Sequence, residues 1–541
     1  MGCTCSSPEV TNDDKLSFTY KRARLLQNLV HQTNKVDPTS RYDVVKKIGV
    51  GSMGYVSTVR RKGDETGHLY AMKTLRPGRM TREFIAELKN EIRAVRRLDH
   101  PNIVRFHEVY YGQQISIIMD YCSGGDVYRS MPYTEPEAAA IMQQVLEALA
   151  YMHRRGYVHL DIKCENIMFV GPEHTRVKII DFGFAARYDP SRGPLQKQLG
   201  TFDTMAPEVY GGNYTTQADL WSSGVVAFEL ISGKKPFAAA SQFGVIGKVA
   251  SGQYKLNDRE WKEKSASSKA FVKALIQKDP KERLTASDAL HHKWILDNAQ
   301  TKSRVTKHMA SIGHDMKSFG QAPTLKKMGL LMIAHKAFPE DIVKLQGCFS
   351  RFDKANNGVI TLEEFGQSIK EVSPNYYSDE EVEDMFKSID TYGNGEIAYT
   401  EFVAATLEKY IHISEDRIDD AFDRLDVTNS GSISVDDLRL VLGQDFSEEK
   451  AAGIIAQIDT DGDGKGEVSI STRVCVAVAH RLLTSPFSFP SRVSKSLSSR
   501  KGEAGKTAEY ARVVLHYCKL LSLYDTITVT CMLFLDQLHR P

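Results

Sequence analysis

Gly49-Val50-Gly51-Ser52-Met53-Gly54-Tyr55-Val56 places three glycines at G-x-G-x-x-G spacing, with a valine two residues beyond. Glycine has no Cβ, so it lets backbone N–H groups come close to phosphate oxygens. A dinucleotide-binding turn has the same spacing, and the flanks separate the two. A dinucleotide turn leads into a helix. Here Tyr55-Val56-Ser57-Thr58-Val59 continues as a strand, and Tyr70-Ala71-Met72-Lys73 follows as an apolar run ending in a lysine. The segment Tyr42–Thr74 therefore reads as short β-strands around a glycine-rich, phosphate-facing turn.

Further along stand His159-Leu160-Asp161-Ile162-Lys163-Cys164-Glu165-Asn166, then Asp181-Phe182-Gly183, then Ala206-Pro207-Glu208. In this order the segments resemble the eukaryotic protein kinase family. The resemblance implies that Gly49, Gly51 and Gly54 cover the phosphates of ATP, and that Lys73 holds the α- and β-phosphates. It makes Glu91, in the helical-looking Thr81–Leu98 segment, the partner of Lys73. Asp161 would accept the proton of the substrate hydroxyl. Lys163 marks the serine/threonine type, and Asn166 and Asp181 would each hold a Mg²⁺. Arg283 would pair with Glu208, and Asp219 would brace the catalytic loop. Val56 and Ala71 would cover the adenine, with Met119 as gatekeeper. Asp120-Tyr121-Cys122 would form the hinge, and Asp126 would bind the ribose. Glu165 and Glu229 fall where related kinases recognise a basic residue before the phosphorylated one. Leu160 departs from the family, which mostly has Arg there. Leucine cannot pair with an activation-loop phosphate, so control is expected to come from elsewhere.

The chain has 541 residues, enough for about three or four domains. With 42% hydrophobic and 26% charged residues it is neither wholly disordered nor a small disulfide scaffold. Eight Cys without paired C-x-x-C spacing favour a reducing compartment. No uncharged apolar run reaches the ~18 residues of a membrane span, and no secretory h-region is read. The net charge of +2 hides an asymmetry: Glu340 to Lys465 carries 29 acidic against 11 basic residues. The excess fits an acidic cation-binding module attached to a basic one. Nothing in the sequence points to nucleic acid.

At the start, Met1-Gly2-Cys3-Thr4-Cys5-Ser6 fits the N-myristoylation pattern, with the acyl chain on Gly2. One myristoyl chain anchors only marginally, so a second signal is needed. Cys3 and Cys5 are placed for palmitoylation, and Lys21-Arg22-Ala23-Arg24 adds charge. The expected location is the cytoplasmic face of a membrane, the plasma membrane first.

Beyond Ile295 the kinase resemblance ends. Leu325, Met328, Leu331, Met332 and Ala334 form a helical stripe in a basic stretch, the kind of target that a calmodulin-like lobe grips. Loops of the form D-x-x-x-x-G then begin at Asp353, Asp390, Asp426 and Asp459, at spacings of 37, 36 and 33. An EF-hand loop uses oxygen ligands at positions 1, 3, 5, 7 and 9, Gly at 6 and a bidentate Glu at 12. The first loop offers Asp353, Asn357, the Val359 carbonyl, Thr361 and Glu364, but has Ala355 at position 3. The second offers Asp390, Asn394, the Glu396 carbonyl and Glu401, with Tyr392 at position 3. The third offers Asp426, Thr428, Ser430, the Ser432 carbonyl and Ser434, with Asp437 at position 12, one methylene shorter than Glu. The fourth offers Asp459, Asp461, Asp463 and the Lys465 carbonyl, and then fails, because Ile470 stands at position 12. Phe365 and Phe402 follow the first two loops in register.

Kinase, junction and four hands in one chain resemble the calcium-dependent protein kinases of plants and protists. The implied fold class is α+β: a two-lobed protein kinase fold followed by an all-α EF-hand calmodulin-like domain. The divisions are an acylated basic extension 1–41, a kinase domain 42–295, an autoinhibitory junction 296–338, a calmodulin-like domain 339–470 and an aberrant tail 471–541. The cofactors are ATP, Mg²⁺ and Ca²⁺, and the partners are protein substrates, the membrane and the chain's own junction helix. Two alternatives stay open: a calcium-insensitive kinase with degenerate hands, and a catalytically dead calcium-binding scaffold. From Gly466 onward the family pattern stops, with 5 acidic against 10 basic residues. This tail is either an intron read as coding sequence or a lineage-specific addition.

Overall fold

The computed structural model describes residues 37–298 apart from 52–53, 65–66, 77–91, 93–94 and 96–97. It also describes residues 306–456 apart from 340, 374–375, 392, 411–412, 414, 429, 431 and 443–445, together with Thr33 and Asn34. Gly2, Cys3, Cys5, Glu91, Tyr392, the fourth loop (Asp459, Asp461, Asp463, Lys465) and the tail lie outside the described residues.

The first lobe is a six-stranded sheet. Its strands are β1 (Thr33–Asn34), β2 (Tyr42–Val50), β3 (Gly54–Arg61), β4 (Tyr70–Leu75), β5 (Phe106–Tyr111) and β6 (Ile115–Asp120), in the order β1-β5-β6-β4-β3-β2. The glycine-rich turn joins β2 to β3, with Gly49 opposite Val56 and Val50 opposite Tyr55. Its glycines have different reasons. A Cβ on Gly54 would lie 2.0 Å from the Thr74 carbonyl oxygen of β4, so strand crowding requires this one. A Cβ on Gly51 would meet nothing within 4 Å, which leaves its side of the turn open for a ligand.

The second lobe is helical. The helix Glu135–Arg154 starts with a capping box between Thr134 and Glu137, and its apolar residues face the core. The helix Gln217–Ser232 is buried nearly throughout and ends at left-handed Gly233. A helix apolar on all sides belongs at the centre of a domain. Trp221 on this helix is fully buried, as are Trp261, packed on Phe228 of the helix, and Trp294, packed on Phe271.

The hands follow as helix pairs. Val343–Phe352 and Leu362–Val372 form the first, Asp379–Ile389 and Tyr399–Thr406 the second, and Glu415–Leu425 and Val435–Leu442 the third. Strands Val359–Thr361 and Glu396–Ala398 pair antiparallel between the first two loops. Phe365 and Phe402 are fully buried, with Phe402 edge-on to Phe352 at 5.4 Å between ring centroids.

The junction differs from its sequence reading. It forms two helices, Thr306–Gln321 and Thr324–Lys336, where one amphipathic stripe is predicted. In the second helix Leu330 and Ile333 are buried along with Met328, Leu331, Met332 and Ala334, so it is enclosed on more than one side. It packs against Tyr399–Thr406 and Glu415–Leu425, while the first junction helix packs against Asp379–Ile389 and Tyr399–Thr406. The described junction helices are thus packed against the hands.

The hands also dock on the kinase lobes. Thr400 donates through its N–H and hydroxyl to the two oxygens of Asp99, at 2.9 and 2.8 Å. Arg105 donates to the Ala334 and His335 carbonyls at the end of the junction. Phe338 stacks on His68 at 3.9 Å. Gly358, at φ +76°, brings the first loop so close that a Cβ there would lie 2.4 Å from the Tyr151 ring.

Candidate active site and cation loops

The catalytic loop is shaped from beneath. Asp219 is fully buried on the central helix, and its oxygens accept the N–H groups of His159 and Leu160 at 2.9 and 2.8 Å. Its Oδ2 also meets His153 Nε2 at 2.8 Å. These bonds hold Leu160 at φ +66°, a backbone that a branched side chain rarely adopts unaided. The Leu160 side chain is buried in the core.

Asp161 follows with three donors fixing its carboxylate. Thr201 Oγ1 donates to Oδ1 at 2.6 Å, and Lys163 Nζ and Asn166 Nδ2 donate to Oδ2, each at 2.8 Å. Lys163 also donates to Thr201 Oγ1 at 2.8 Å. Thr201 is a functional residue that the sequence reading missed. Its signal was available: it sits five residues before Ala206-Pro207-Glu208, inside the same activation segment.

Asp181 stands at φ +59° and accepts from Lys73 Nζ at 2.9 Å. Burial alone would raise its carboxyl, but the Lys73 ammonium outweighs that and holds it below its ordinary value. Phe182 is fully buried against His159, which keeps the Asp181 side of the loop turned toward Lys73. Arg283 Nη1 meets Glu208 Oε1 at 2.7 Å in the core. On the adenine side, Ala71 and Met119 are direct cross-strand neighbours on β4 and β6, and Val56 lies opposite Lys73. Asp126 N-caps the turn Val127–Ser130 and pairs with Arg129 Nε at 3.0 Å. Cys122 is buried.

Asp120 keeps its hinge position with its side chain engaged, and Glu229 differs from expectation. The Asp120 carboxylate is buried and bound by Lys178 Nζ at 2.7 Å, His107 Nε2 at 2.8 Å and Arg105 N–H at 3.1 Å. Burial opposes ionisation there, yet the Lys178 ammonium and the His107 hydrogen bond hold the carboxyl far below its usual range. Asp120 therefore braces the hinge with its side chain, and only its backbone remains for a nucleotide. Glu229, expected beside Glu165 at the substrate surface, is 4% exposed and accepts from Cys164 Sγ at 3.3 Å. Burial pushes its carboxyl up to about 7. Glu165 itself is exposed.

The loops of the hands are shaped for an oxygen-bound cation. In the first, Asp353 accepts the N–H groups of Asn357 and Gly358 at 2.9 and 2.7 Å. Glu364 reaches back to the N–H groups of Ala355 and Thr361, both at 2.9 Å. Thr361 and Glu364, loop positions 9 and 12, also form the capping box of the exiting helix. Burial raises the Asp353 carboxyl to about 7. The second loop repeats the pattern: Asp390 accepts from Asn394 and Gly395, Asn394 from Glu396, and Glu401 from Ala398. In the third, Asp437 accepts from Thr428 and Ser434, both at 2.8 Å. These are the positions that Glu364 reaches in the first loop, so the shorter side chain makes the same two backbone contacts. All-oxygen donors with left-handed Gly358 and Gly395 at position 6 fit Ca²⁺.

A glycine-lidded cleft with Lys73, Asp161, Asn166 and Asp181 around it, joined to paired cation loops, defines a protein kinase with its own EF-hand module. Comparison with known proteins agrees. The protein kinase domain family matches residues 42–295, the EF-hand domain pair matches 342–407, and a further EF hand matches 418–442. The chain is 31% identical over 477 residues to calcium-dependent protein kinase 5 of Plasmodium falciparum, covering 85% of this chain and 83% of that one. It is 30% identical over 493 residues to calcium-dependent protein kinase 8 of Arabidopsis thaliana, covering 86% and 91%. The chain belongs to the calcium-dependent protein kinase family.

Proposed function

We propose that this chain transfers the γ-phosphoryl group of ATP to serine or threonine hydroxyls of proteins when Ca²⁺ loads its hands. The observation that carries the reading is the coexistence of two arrangements. The junction helices are gripped by the hands, and the Lys73–Asp181 and Asp161–Lys163–Thr201 contacts are assembled. In the chemical step Asp161 orients the substrate hydroxyl and takes its proton. Lys163 neutralises the transferring phosphoryl group, and Lys73 positions the phosphates. Asn166 and Asp181 would hold Mg²⁺, which supplies charge neutralisation on the phosphate oxygens. Without Ca²⁺ the junction leaves the hands and covers the kinase, and loading reverses this.

The test is peptide phosphorylation by the full chain in buffered free Ca²⁺ and in chelator. Allosteric coupling of the usual size gives about 5–150-fold stimulation. The double substitution Glu364→Ala and Glu401→Ala is expected to abolish most of it, since both remove the position-12 ligand. An equal rate in Ca²⁺ and chelator would favour the calcium-insensitive reading, and no rate in either would favour the scaffold.

The N-terminus supports a second step of the reading. Acylation at Gly2, with Cys3 and Cys5 as the added anchor, holds the enzyme at the cytoplasmic face of a membrane, the plasma membrane first. Gly2→Ala is expected to move the protein from the membrane pellet to the supernatant. An unchanged distribution would remove acylation from the account.

A further inference from the structure

We propose that Asp99 of the kinase lobe is the N-cap of the second hand's exiting helix, and that through this cap the cation state of the second loop reaches the kinase. The inference deepens the calcium-dependent reading above and rests on it. It starts from position 9 of each loop, which is also the N-cap of the helix that follows. The first loop has Thr361 there, and its Oγ1 accepts the Glu364 N–H at 3.3 Å. The third has Ser434, whose Oγ accepts the Asp437 N–H at 3.2 Å. The second has Ala398, which carries no side-chain acceptor. The helix Tyr399–Thr406 therefore begins without a cap of its own, and alanine is among the poorest residues at that position.

Asp99 fills the gap from 301 positions away. Its Oδ2 accepts the Thr400 N–H, one of the orphan donors of the first helical turn, and its Oδ1 accepts the Thr400 hydroxyl. Both side chains are buried. The carboxylate also suits the positive end of the helix. Thr400 is loop position 11, directly before the position-12 ligand Glu401. A cation bound through Glu401 therefore fixes the same turn that Asp99 caps.

The kinase side of the contact is equally defined. Asp99 directly follows the Thr81–Leu98 segment that carries Glu91. Its N–H donates to Tyr151 Oη at 2.8 Å, and Arg105 Nη2 stands 3.7 Å from its Oδ1. Arg105 in turn donates to the Ala334 and His335 carbonyls. One carboxylate thus ties the second hand and the end of the junction to the residue that closes the Glu91 segment. Asp99 touches neither substrate nor cation, so it is a positioning residue.

The experiment uses the full chain and two readouts. One is peptide phosphorylation with Mg²⁺-ATP across buffered free Ca²⁺. The other is hydrogen exchange over residues 398–406 in Ca²⁺ and in chelator. Asp99→Ala leaves both Thr400 donors buried without an acceptor, which weakens docking by about 5–100-fold. Shared among three loops, that loss is expected to raise the Ca²⁺ concentration for half-maximal activity about 2–5-fold. Exchange at the start of the helix should quicken at least about fivefold in Ca²⁺ and stay unchanged in chelator, where the cap is not made. Thr400→Ser keeps both donors and should behave as wild type. Thr400→Val keeps only the N–H and should shift the midpoint the same way by less. Glu401→Ala should cost less of the stimulation in the Asp99→Ala background than in wild type. An unmoved midpoint in Asp99→Ala would overturn the proposal. So would exchange that quickens equally with and without Ca²⁺, since Asp99 would then only stabilise its own lobe. If wild-type activity ignores Ca²⁺, the calcium-dependent reading fails, and the exchange of Asp99→Ala against wild type still decides the cap.

Discussion

Asp161→Asn is expected to lower kcat for peptide phosphorylation by about 10²–10⁴-fold, the usual contribution of a positioned general base. The amide cannot take the substrate's proton. It also disturbs the site in a defined way. Asp161 accepts three hydrogen bonds, from Thr201, Lys163 and Asn166. The substituted amide has one acceptor oxygen; turned toward Lys163 and Asn166 it keeps both donors, and its NH₂ group then faces Thr201 Oγ1, whose hydroxyl must turn to accept. The bond from Lys163 loses its charged acceptor and the Thr201 O–H loses its own, so stability should drop by about 0.5–1.5 kcal/mol. The catalytic loss is larger, because it removes chemistry as well as a contact. Thermal unfolding of the Ca²⁺-loaded chain and single-turnover phosphorylation measure the two effects separately. A rate within tenfold of wild type in the folded variant would remove Asp161 from the role of base. Thr201→Ala sharpens the test: it takes away the donor to Oδ1 and one acceptor of Lys163 but leaves the Asp161 carboxylate, so it should cost less than Asp161→Asn while moving in the same direction.

Much of this site was legible because its signals are local. The Gly49–Val56 turn, the Asp161–Asn166 loop and the position-12 acids each sit within a dozen residues, and their residue types are dictated by what the backbone must do. Other features are not local. Thr400 and Asp99 are separated by 301 positions and meet only because the hands fold back on the kinase. Nothing in either neighbourhood announces the other. Hinge position says where the Asp120 backbone lies, not that Lys178 and His107 will claim its carboxylate. Glu229 was misread because the central helix is buried all round, which makes its C-terminal turn less open than an acidic residue suggests. The junction stripe understated burial: a periodicity count sees one apolar face, and the two partners on different sides of Thr324–Lys336 appear only in three dimensions. Asp437 shows the opposite case. One missing methylene looked like a defect, yet the loop accommodates it with the same two backbone bonds.

Glu108→Ala should produce the largest loss of stability, and it should do so in the Ca²⁺-loaded state. Glu108 lies on β5, 3% exposed, and accepts from Arg424 Nη2 at 3.0 Å and from Tyr110 Oη at 2.5 Å, with Lys336 Nζ at 3.4 Å. Asp420 binds Lys336 and Arg61 and lies 3.4 Å from Arg424 Nε. Two carboxylates and three cations thus meet where the sheet, the junction helix and the third hand come together. Burial alone would raise the Glu108 carboxyl, but Lys336 and Arg424 hold it down at about 2. Burial also brings the Lys336 ammonium down to about 8, so these charges are poorly hydrated. Removing Glu108 leaves three cations sharing one carboxylate. Breaking a buried pair in this way costs about 3–5 kcal/mol, because the partner charge stays in a site that water cannot reach. Every 1.4 kcal/mol is about tenfold in an equilibrium, so the docking of the third hand should weaken by about 100-fold or more. By linkage the same loss appears at the other end, as a higher Ca²⁺ concentration for half-maximal activity. A double-mutant cycle with Arg424→Met isolates the pair: the second substitution should cost less in the Glu108→Ala background than in wild type. If Glu108→Ala leaves both the melting temperature and the Ca²⁺ midpoint in place, the cluster is packing rather than coupling, and the third hand must communicate with the sheet by another route.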